Sequence, residues 1–216
     1  MGDNMNTREY DTLRKERSYK RVIKSEKQSK AIYRMLPYYE NAILLGDSIA
    51  ESILDYRLLR KNNVIAKRGR CIDMIDEDIQ KVFVLEPKAL FMEFGKNDIL
   101  HFHKDVAVFI SIYTEKIRMI QKNLPSTNVY INSIIPMHPL KIEHIGGMDI
   151  LHQFNEGLRR MCEHLGLIYI DNSKLMAFVE QDFEFDGIHP KYPYYAKWLE
   201  HMAIEAGMLT QKQRQA

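Results

Sequence analysis

The sequence predicts an α/β protein, a three-layer α/β/α sandwich built on a five-stranded parallel sheet. Five short apolar segments alternate along the chain with longer segments in which apolar residues recur at helical spacing. Short apolar strands that alternate with helices are typical of a parallel sheet covered by helices on both faces. Because crossovers between parallel strands are right-handed, the sheet is expected to be doubly wound.

The first half of the chain supplies three of the strands. Residues 42–46 form an apolar run of strand length. A helix at 49–60 follows at once, because Ile49, Ile53 and Tyr56 fall on one helical face. The next predicted elements are, in order, a strand at 64–66, a helix at 73–82 and a strand at 89–94.

The second half continues the alternation. Amphipathic spacing predicts a long helix at 105–123 that ends before Pro125. The segment 128–135 is rich in β-branched residues and predicts a fourth strand that Pro136 stops. A loop at 136–148 follows. The remaining predicted elements are a helix at 149–165, a strand at 167–170, a short helix at about 173–180 and a last helix at about 193–206.

The N-terminal segment differs from the rest, and we divide the chain into a basic helical arm at 1–38 and an α/β domain at 39–210. Residues 1–40 hold ten Lys and Arg against six Asp and Glu, and a helix is predicted from about Thr7 to Met35. Its apolar positions are sparse, which favours a solvated arm. The alternative is a membrane-proximal or partner-binding segment, because basic helices attract acidic surfaces.

Length and composition limit the classes of protein to which this chain can belong. The 216 residues fit one domain with an appendage. The formal charge of +2 gives no reason to expect a nucleic-acid partner, and no apolar run is long enough to span a membrane. Without a secretion signal the sequence as it stands predicts a cytoplasmic protein. An extracellular protein is the alternative, if an N-terminal signal or anchor was removed.

Cysteine and histidine usage predicts neither a cofactor nor a metal site. Cys71 and Cys162 are too few for a disulfide scaffold or a cysteine-based zinc site. The histidines at 101–103 and in the loop at 136–148 are expected to border a pocket, but they complete no carboxylate–histidine set. The aromatic residues of the last helix are expected to form its apolar face, with a sugar-stacking platform as the alternative; they are Tyr192, Tyr194, Tyr195 and Trp198.

The candidate functional residues follow the predicted strands. Because the carboxyl ends of parallel strands meet at one edge of a sheet, the loops after them gather there. These loops and the last part of the chain carry, in chain order, Ser48, Gly69, Asn97, Asp186 and His189. A hydroxyl, amide donors, a carboxylate and an imidazole are the parts of an acyl-transfer site.

The spacing of Asp186 and His189 suggests roles for three of these residues. Three positions apart in a turn, the carboxylate can orient the imidazole, and the imidazole can take the proton of Ser48. A structural interpretation competes with this one, because Ser48 and Glu51 also form a Ser-x-x-Glu capping box at a helix start.

Gly69 and Asn97 are candidates for binding a developing oxyanion, together with the N–H of Ser48. Glycine permits close approach of the backbone, and the asparagine amide can point at the negative charge. Each residue alone is also common in turns, so the co-occurrence of all the candidates in order is what favours a site.

This ordered set resembles the SGNH hydrolase superfamily, also called the GDSL esterase/lipase superfamily. The blocks that carry the resemblance are Gly46-Asp47-Ser48, the glycine of Arg68-Gly69, Gly95-x-Asn97-Asp98 and Asp186-x-x-His189. The resemblance implies a flavodoxin-like sheet with the strand order 2-1-3-4-5 and an SGNH-type hydrolase domain at 39–210. The nucleophile, the two oxyanion donors and the acid and base of the triad are then, in that order, Ser48, Gly69, Asn97, Asp186 and His189.

Two positions depart from the family pattern. Ile49 stands where the full Gly-Asp-Ser-Leu block has leucine, which is a mild change. Lys96 places a charge beside the proposed oxyanion hole, so its side chain either points away from the hole or favours an acidic substrate.

The leading functional hypothesis is a serine esterase that hydrolyses small acyl esters through a Ser-His-Asp triad and an acyl-enzyme. The expected substrate is a small molecule or glycan that carries an acetyl ester. Because the resembled family also acts on lipids and thioesters, a lipid or thioester acylhydrolase is the alternative. A catalytically silent binding module on the same scaffold is a third hypothesis, against which the complete residue set argues.

Overall fold

Five parallel strands form the central sheet of the computed structural model, which describes residues 35–209. The strands are β1 Ala42–Gly46, β2 Val64–Ala66, β3 Ala89–Glu93, β4 Asn128–Asn132 and β5 Ile168–Ile170. They lie in the order β2-β1-β3-β4-β5, and every neighbouring pair is parallel. The predicted fold class and the strand order implied by the resemblance are therefore confirmed.

Helices of very different length connect the strands. The α-helices of the described residues are α1 Ser48–Asp55, α2 Asp76–Leu85, α3 Asp98–His101, α4 Val106–Asn123, α5 Pro139–Ile142, α6 Gly147–Leu165 and α7 Tyr192–Glu205. Short 3-10 turns occupy Leu36–Tyr39, Lys61–Asn63, Ile72–Met74, Glu143–Ile145 and Glu180–Asp182. The sequence did not predict the short helices α3 and α5.

Each face of the sheet has its own apolar layer. Helices α2, α4 and α6 cover one face, where Ile43 and Leu45 of β1 are buried. Helices α1 and α7 cover the other face, where Leu44 is buried. Full burial of one such aliphatic side chain stabilises a fold by about 1.5–3 kcal/mol, so both layers hold β1 in place. The rigid edge of this sheet is what positions the loops described below.

Helix α1 is shorter than predicted. It ends at Asp55 rather than at residue 60. Arg57 adopts a left-handed backbone conformation with φ 56°, and the Leu58 N–H donates to the Ile53 carbonyl at 2.9 Å. This turn brings Leu58 and Leu59 into the core, where both are buried. Burial of the two leucines thus accounts for the early end of the helix.

Strand β4 is also shorter than predicted, because a side chain replaces its partner strand. The strand ends at Asn132 rather than at residue 135. The Ile134 N–H donates to Asn155 Oδ1 at 2.7 Å, and the Ile134 carbonyl accepts from Asn155 Nδ2 at 2.8 Å. One asparagine of α6 therefore satisfies both backbone groups of Ile134 and directs the chain away from the sheet.

The helix predicted at about 173–180 is wrong. That segment consists of turns and irregular backbone up to the 3-10 turn Glu180–Asp182. Phe178 has a φ of 54° and packs its ring near Phe183 and Tyr194. This tertiary packing overrides the local helical preference.

Helix α7 turns its aromatic residues toward the core. Tyr194, Tyr195 and Trp198 are buried, and Trp198 Nε1 donates to Asn132 Oδ1 at 2.8 Å. The interpretation of these residues as the apolar face of the last helix is confirmed, and a sugar-stacking platform made of these buried rings is excluded.

The predicted N-terminal arm lies outside the described residues apart from its last few positions, so the division of the chain at residue 38 stays a prediction. Within residues 35–209, none of the helices combines the length and the apolarity that a bilayer crossing requires.

Candidate active site

Ser48 is the first residue of α1, directly after the turn that leaves β1. Gly46 makes this turn possible, because a Cβ there would lie 2.7 Å from both the Ala50 Cβ and the Glu93 carbonyl oxygen. The helix is capped by Asp47, whose Oδ1 accepts from the Ile49 N–H at 2.8 Å. Since Asp47 is the cap, the capping-box interpretation of Ser48 is wrong and the serine hydroxyl serves another contact.

That contact is His189. The His189 Nε2 lies 2.8 Å from Ser48 Oγ, and the His189 Nδ1 lies 2.7 Å from Asp186 Oδ2. An ionised carboxylate only accepts, so Nδ1 carries the proton and Nε2 is left to accept the Ser48 hydroxyl. The fold thus brings the three predicted residues, which lie near opposite ends of the domain's sequence, into one hydrogen-bonded series.

The turn around Asp186 fixes the position of these three hydrogen-bonded side chains. Asp186 Oδ1 accepts from the N–H groups of Ile188 and His189, both at 2.9 Å. Burial favours the neutral acid, but the hydrogen bond to His189, its charge and the two N–H groups outweigh burial and hold the pKa of Asp186 well below its usual range. Asp186 is therefore a carboxylate near neutral pH, which stabilises a protonated His189.

The loop at 136–148 packs directly on the His189 turn. Gly187 has a φ of 68°, and its carbonyl accepts from the His138 N–H at 2.8 Å. A Cβ at Gly187 would lie 2.9 Å from Lys141 Cγ and 3.0 Å from His138 Cβ, so this close approach requires glycine. The expectation that this loop borders the site agrees with these contacts.

Asn97 and Gly69 lie at the same edge of the sheet. The Asn97 Nδ2 donates to Asp47 Oδ2 at 2.9 Å and to the Arg70 carbonyl at 3.2 Å, so both of its hydrogens are engaged. Gly69 is exposed in the turn after β2. Within residues 35–209, no hydrogen bond joins Gly69 to the other four candidates. Asn97 is thus hydrogen-bonded to Asp47, the residue before Ser48, whereas Gly69 lies near these residues without a hydrogen bond to them.

A buried charged cluster lies behind Ser48, and the sequence did not reveal it. Asp47, Glu93 and Lys96 are all buried. Burial and the neighbouring Asp47 raise the pKa of Glu93 well above its usual range, so Glu93 holds the proton of this carboxyl pair. The signal that could have found it is the glutamate at the end of the otherwise apolar strand β3.

Lys96 points inward rather than toward solvent. Its side chain is buried, and its Nζ donates to the Ile188 carbonyl at 3.2 Å and the Pro136 carbonyl at 3.4 Å. Burial lowers the pKa of Lys96 to about 8, while the carboxylates of Asp47 and Asp186 favour its charged form. The lysine therefore links the residues after β3 to the turn that carries His189, which accounts for this departure from the family pattern.

Comparison with known proteins supports the fold. Similar solved structures include a carbohydrate esterase family 3 protein from Talaromyces cellulolyticus, 17% identical, with a TM-score of 0.59 over 81% of this chain and 98% of that one. A GDSL-like lipase from Bacteroides thetaiotaomicron is 14% identical, with a TM-score of 0.59 over 77% and 86%. An acetyl xylan esterase from Geobacillus stearothermophilus is 14% identical, with a TM-score of 0.59 over 78% and 95%. At these identities the matches establish a shared fold.

Sequence comparison identifies the family. No curated protein matches the sequence. The sequence profile of the GDSL-like Lipase/Acylhydrolase family matches residues 44–197, which is most of the chain and includes Ser48, Asp186 and His189. The chain belongs to the GDSL-like lipase/acylhydrolase family.

Proposed function

We propose that the protein is a serine esterase that removes small acyl groups, with acetyl as the expected group, from a carbohydrate or a related polar molecule. The observation that carries the proposal is the hydrogen-bonded chain from Ser48 Oγ through His189 to Asp186. Family membership supports acyl-ester hydrolysis in general. The names of two similar structures, a carbohydrate esterase and an acetyl xylan esterase, support the choice of acetyl and carbohydrate.

In the proposed reaction, Ser48 Oγ attacks the ester carbonyl carbon while its proton passes to His189 Nε2. The tetrahedral intermediate collapses, the alcohol leaves with the proton from His189, and the acyl group remains on Ser48. His189 then takes a proton from water, which attacks the acyl-enzyme. The carboxylic acid departs and Ser48 recovers its proton. Asp186 stabilises the imidazolium at both proton transfers.

Three donors are proposed for the oxyanion. The N–H of Ser48 lies in the first turn of α1, where backbone donors have no partner inside the helix. Gly69 would offer its N–H, and Asn97 its side-chain amide. An oxyanion would displace the longer of the two Asn97 contacts, the one to the Arg70 carbonyl at 3.2 Å. One such donor is typically worth about 3–4 kcal/mol in the transition state.

The test is hydrolysis of p-nitrophenyl esters of increasing acyl length by the full chain. We expect acetate to be cleaved best, and Ser48→Ala to lose at least about 10³-fold in kcat while remaining folded. Ser52→Ala is the matched control, because Ser52 lies one turn later on the same helix, where it donates to the Ser48 carbonyl. It should retain activity within about threefold.

The same experiment separates the alternatives. Activity that rises with acyl length would overturn the small-acyl proposal in favour of a lipid or thioester acylhydrolase. Full activity in Ser48→Ala would overturn the serine mechanism. Release of acetate from acetylated xylo-oligosaccharides, measured against acetylated amino alcohols, then tests the carbohydrate part of the proposal.

A further inference from the structure

Three different metal-binding side chains meet beside the proposed active site. The ligand atoms of Cys71, Asp73 and His101 all lie within 4.8 Å of one another. Within this group, His101 Nε2 donates to Asp73 Oδ2 at 2.8 Å. Cys71 and Asp73 lie at the 3-10 turn after β2, whereas His101 ends α3 after β3. The fold therefore assembles a set that local spacing in the sequence conceals.

We propose that Cys71, Asp73 and His101 bind a divalent transition-metal ion, with Zn²⁺ as the expected ion. Thiolate, imidazole and carboxylate are the side chains that bind Zn²⁺ in proteins, and three of them leave a fourth position for water. The sulfur ligand and the nitrogen ligand disfavour Mg²⁺ and Ca²⁺, which prefer oxygen. The proposal is independent of whether Ser48 is a nucleophile.

The distances fit this ion after small rotations. Tetrahedral Zn²⁺ with ordinary bond lengths separates a nitrogen and an oxygen ligand by about 3.4 Å, and a sulfur and a nitrogen ligand by about 3.6 Å. The present contact between His101 and Asp73 would open by roughly half an ångström, and any separation near 4.8 Å would close by roughly one ångström. Both side chains are partly exposed, so they can move and an ion can enter.

Buried carboxylate oxygens without hydrogen-bond partners are the second observation. Fully buried Asp98 accepts from the Ile72 N–H at 2.7 Å through Oδ1, but its Oδ2 has no hydrogen-bond partner among the described residues. Oδ1 of Asp73 is likewise buried without a partner. A cation bound between Cys71, Asp73 and His101 would compensate the Asp73 carboxylate, and it would displace the thiol proton of Cys71.

Binding would connect two segments of the proposed active site. Cys71 lies two residues after Gly69, and His101 lies four residues after Asn97. A metal ion held between Cys71 and His101 would therefore fix the two loops from which the oxyanion donors are proposed to come. This gives the site a regulatory or stabilising role rather than a place in the chemical step.

The test is a Co²⁺ titration of the chelator-treated full chain under reducing conditions. Co²⁺ reports a cysteine ligand through a thiolate-to-metal charge-transfer band. We expect this band to saturate at one ion per chain and to disappear when Zn²⁺ is added. Cys162→Ser is the matched control, because Cys162 is the other buried cysteine and should leave the band unchanged. Cys71→Ser should abolish the band and weaken binding by at least about 100-fold.

His101→Asn keeps the test decisive if Cys71→Ser fails to fold, because the His101 side chain is partly exposed. It should weaken Co²⁺ binding by at least about tenfold and remove the rise in thermal midpoint that Zn²⁺ gives the unmutated chain. Absence of the band in the unmutated chain would overturn the proposal. A band that survives Cys71→Ser, or one that Cys162→Ser removes, would also overturn it.

Discussion

Two histidine–aspartate pairs lie at the same edge of the sheet and differ in what surrounds them. In the first, the side chains of His189 and Asp186 are 10% and 19% exposed, and the second ring nitrogen contacts Ser48. In the second, His101 and Asp73 are 35% and 34% exposed, and the third group of the set is the thiol of Cys71. A histidine–aspartate pair alone therefore does not indicate a function. The burial of the pair and the third group that it contacts do indicate one.

The carboxylates explain the difference further. Asp186 Oδ1 accepts two backbone N–H groups, so the carboxylate and the ring bound to it have one orientation. Asp73 Oδ1 has no hydrogen-bond partner within the described chain, so the second pair can rearrange around a cation. A fixed pair suits proton transfer to one defined atom, whereas an adjustable pair suits metal binding.

The largest expected loss of activity follows from replacing His189, in comparison with an exposed histidine. His189→Asn should lower kcat/KM for p-nitrophenyl acetate by at least about 10³-fold, because the ring nitrogen that contacts Ser48 Oγ is the proposed acceptor of its proton. His152→Asn, at an exposed position of α6, is the control and should stay within about twofold. Equal activity in both variants would show that the buried pair is not a general base.

The next largest loss of activity is expected from Asp186, in comparison with Asp73 of the second pair. Asp186→Asn should lower kcat by about 10²–10⁴-fold, because the neutral amide cannot stabilise an imidazolium or fix its tautomer. Asp73→Asn should cost less than about tenfold, since Asp73 pairs with His101 and not with His189. The measurement is kcat for both variants without added metal. Similar losses in the two variants would remove the distinction between the pairs.

A smaller effect is expected from the lysine behind the first pair. Lys96→Met should lower kcat by about 10–100-fold with little change in KM, because the Ile188 carbonyl next to His189 loses its donor. Lys88→Met, at an exposed position before β3, is the control.

Because the pKa of Lys96 is about 8, the ammonium that balances the carboxylates of Asp47 and Asp186 loses its proton above that pH. The unmutated enzyme should therefore lose activity on the alkaline side, and Lys96→Met should lack this decline. The measurement is kcat from pH 6 to pH 10, roughly the range that brackets a lysine with a lowered pKa. An identical alkaline decline in both proteins would contradict a role for the lysine charge.

The smallest effect concerns acid stability. The pKa of Asp186 is lower in the folded state than in the unfolded chain, so its contribution is fully present above the unfolded pKa and is lost as pH falls toward the folded one. Urea unfolding should find Asp186→Asn less stable than the unmutated chain at neutral pH by about 1–3 kcal/mol. This difference should shrink below about pH 4. A difference that stays constant with pH would contradict the ionised carboxylate.

The sequence predicted the parts of the site that follow from chain order. Ser48 and Asn97 lie in the loops after β1 and β3, so the rule that parallel strands end at one edge was enough to group them. Asp186 and His189 share one turn but follow no strand directly, and the family resemblance was needed to join them to the candidate site. Local spacing contains no information about the contact between Asp73 and His101, which lie 28 residues apart. The cluster of Asp47, Glu93 and Lys96 joins the ends of β1 and β3, and its one sequence signal was the glutamate that ends the otherwise apolar strand β3.

The errors in secondary structure have the same origin. The prediction of a helix at about 173–180 was wrong because Phe178 packs against aromatic residues from other parts of the chain. Strand β4 ended early because Asn155 of α6 binds the backbone of Ile134. Periodicity reports the average environment of a segment, whereas single tertiary contacts decided these two boundaries.

Whether His189 activates Ser48 as a nucleophile can be tested by covalent labelling with a fluorophosphonate, followed by mass mapping of the modified residue. The reagent reacts with a serine that a general base has activated. We expect one adduct per chain, on Ser48, with no adduct in Ser48→Ala and strongly slowed labelling in His189→Asn. Absence of labelling in the folded chain, or an adduct on any residue other than Ser48, would contradict it.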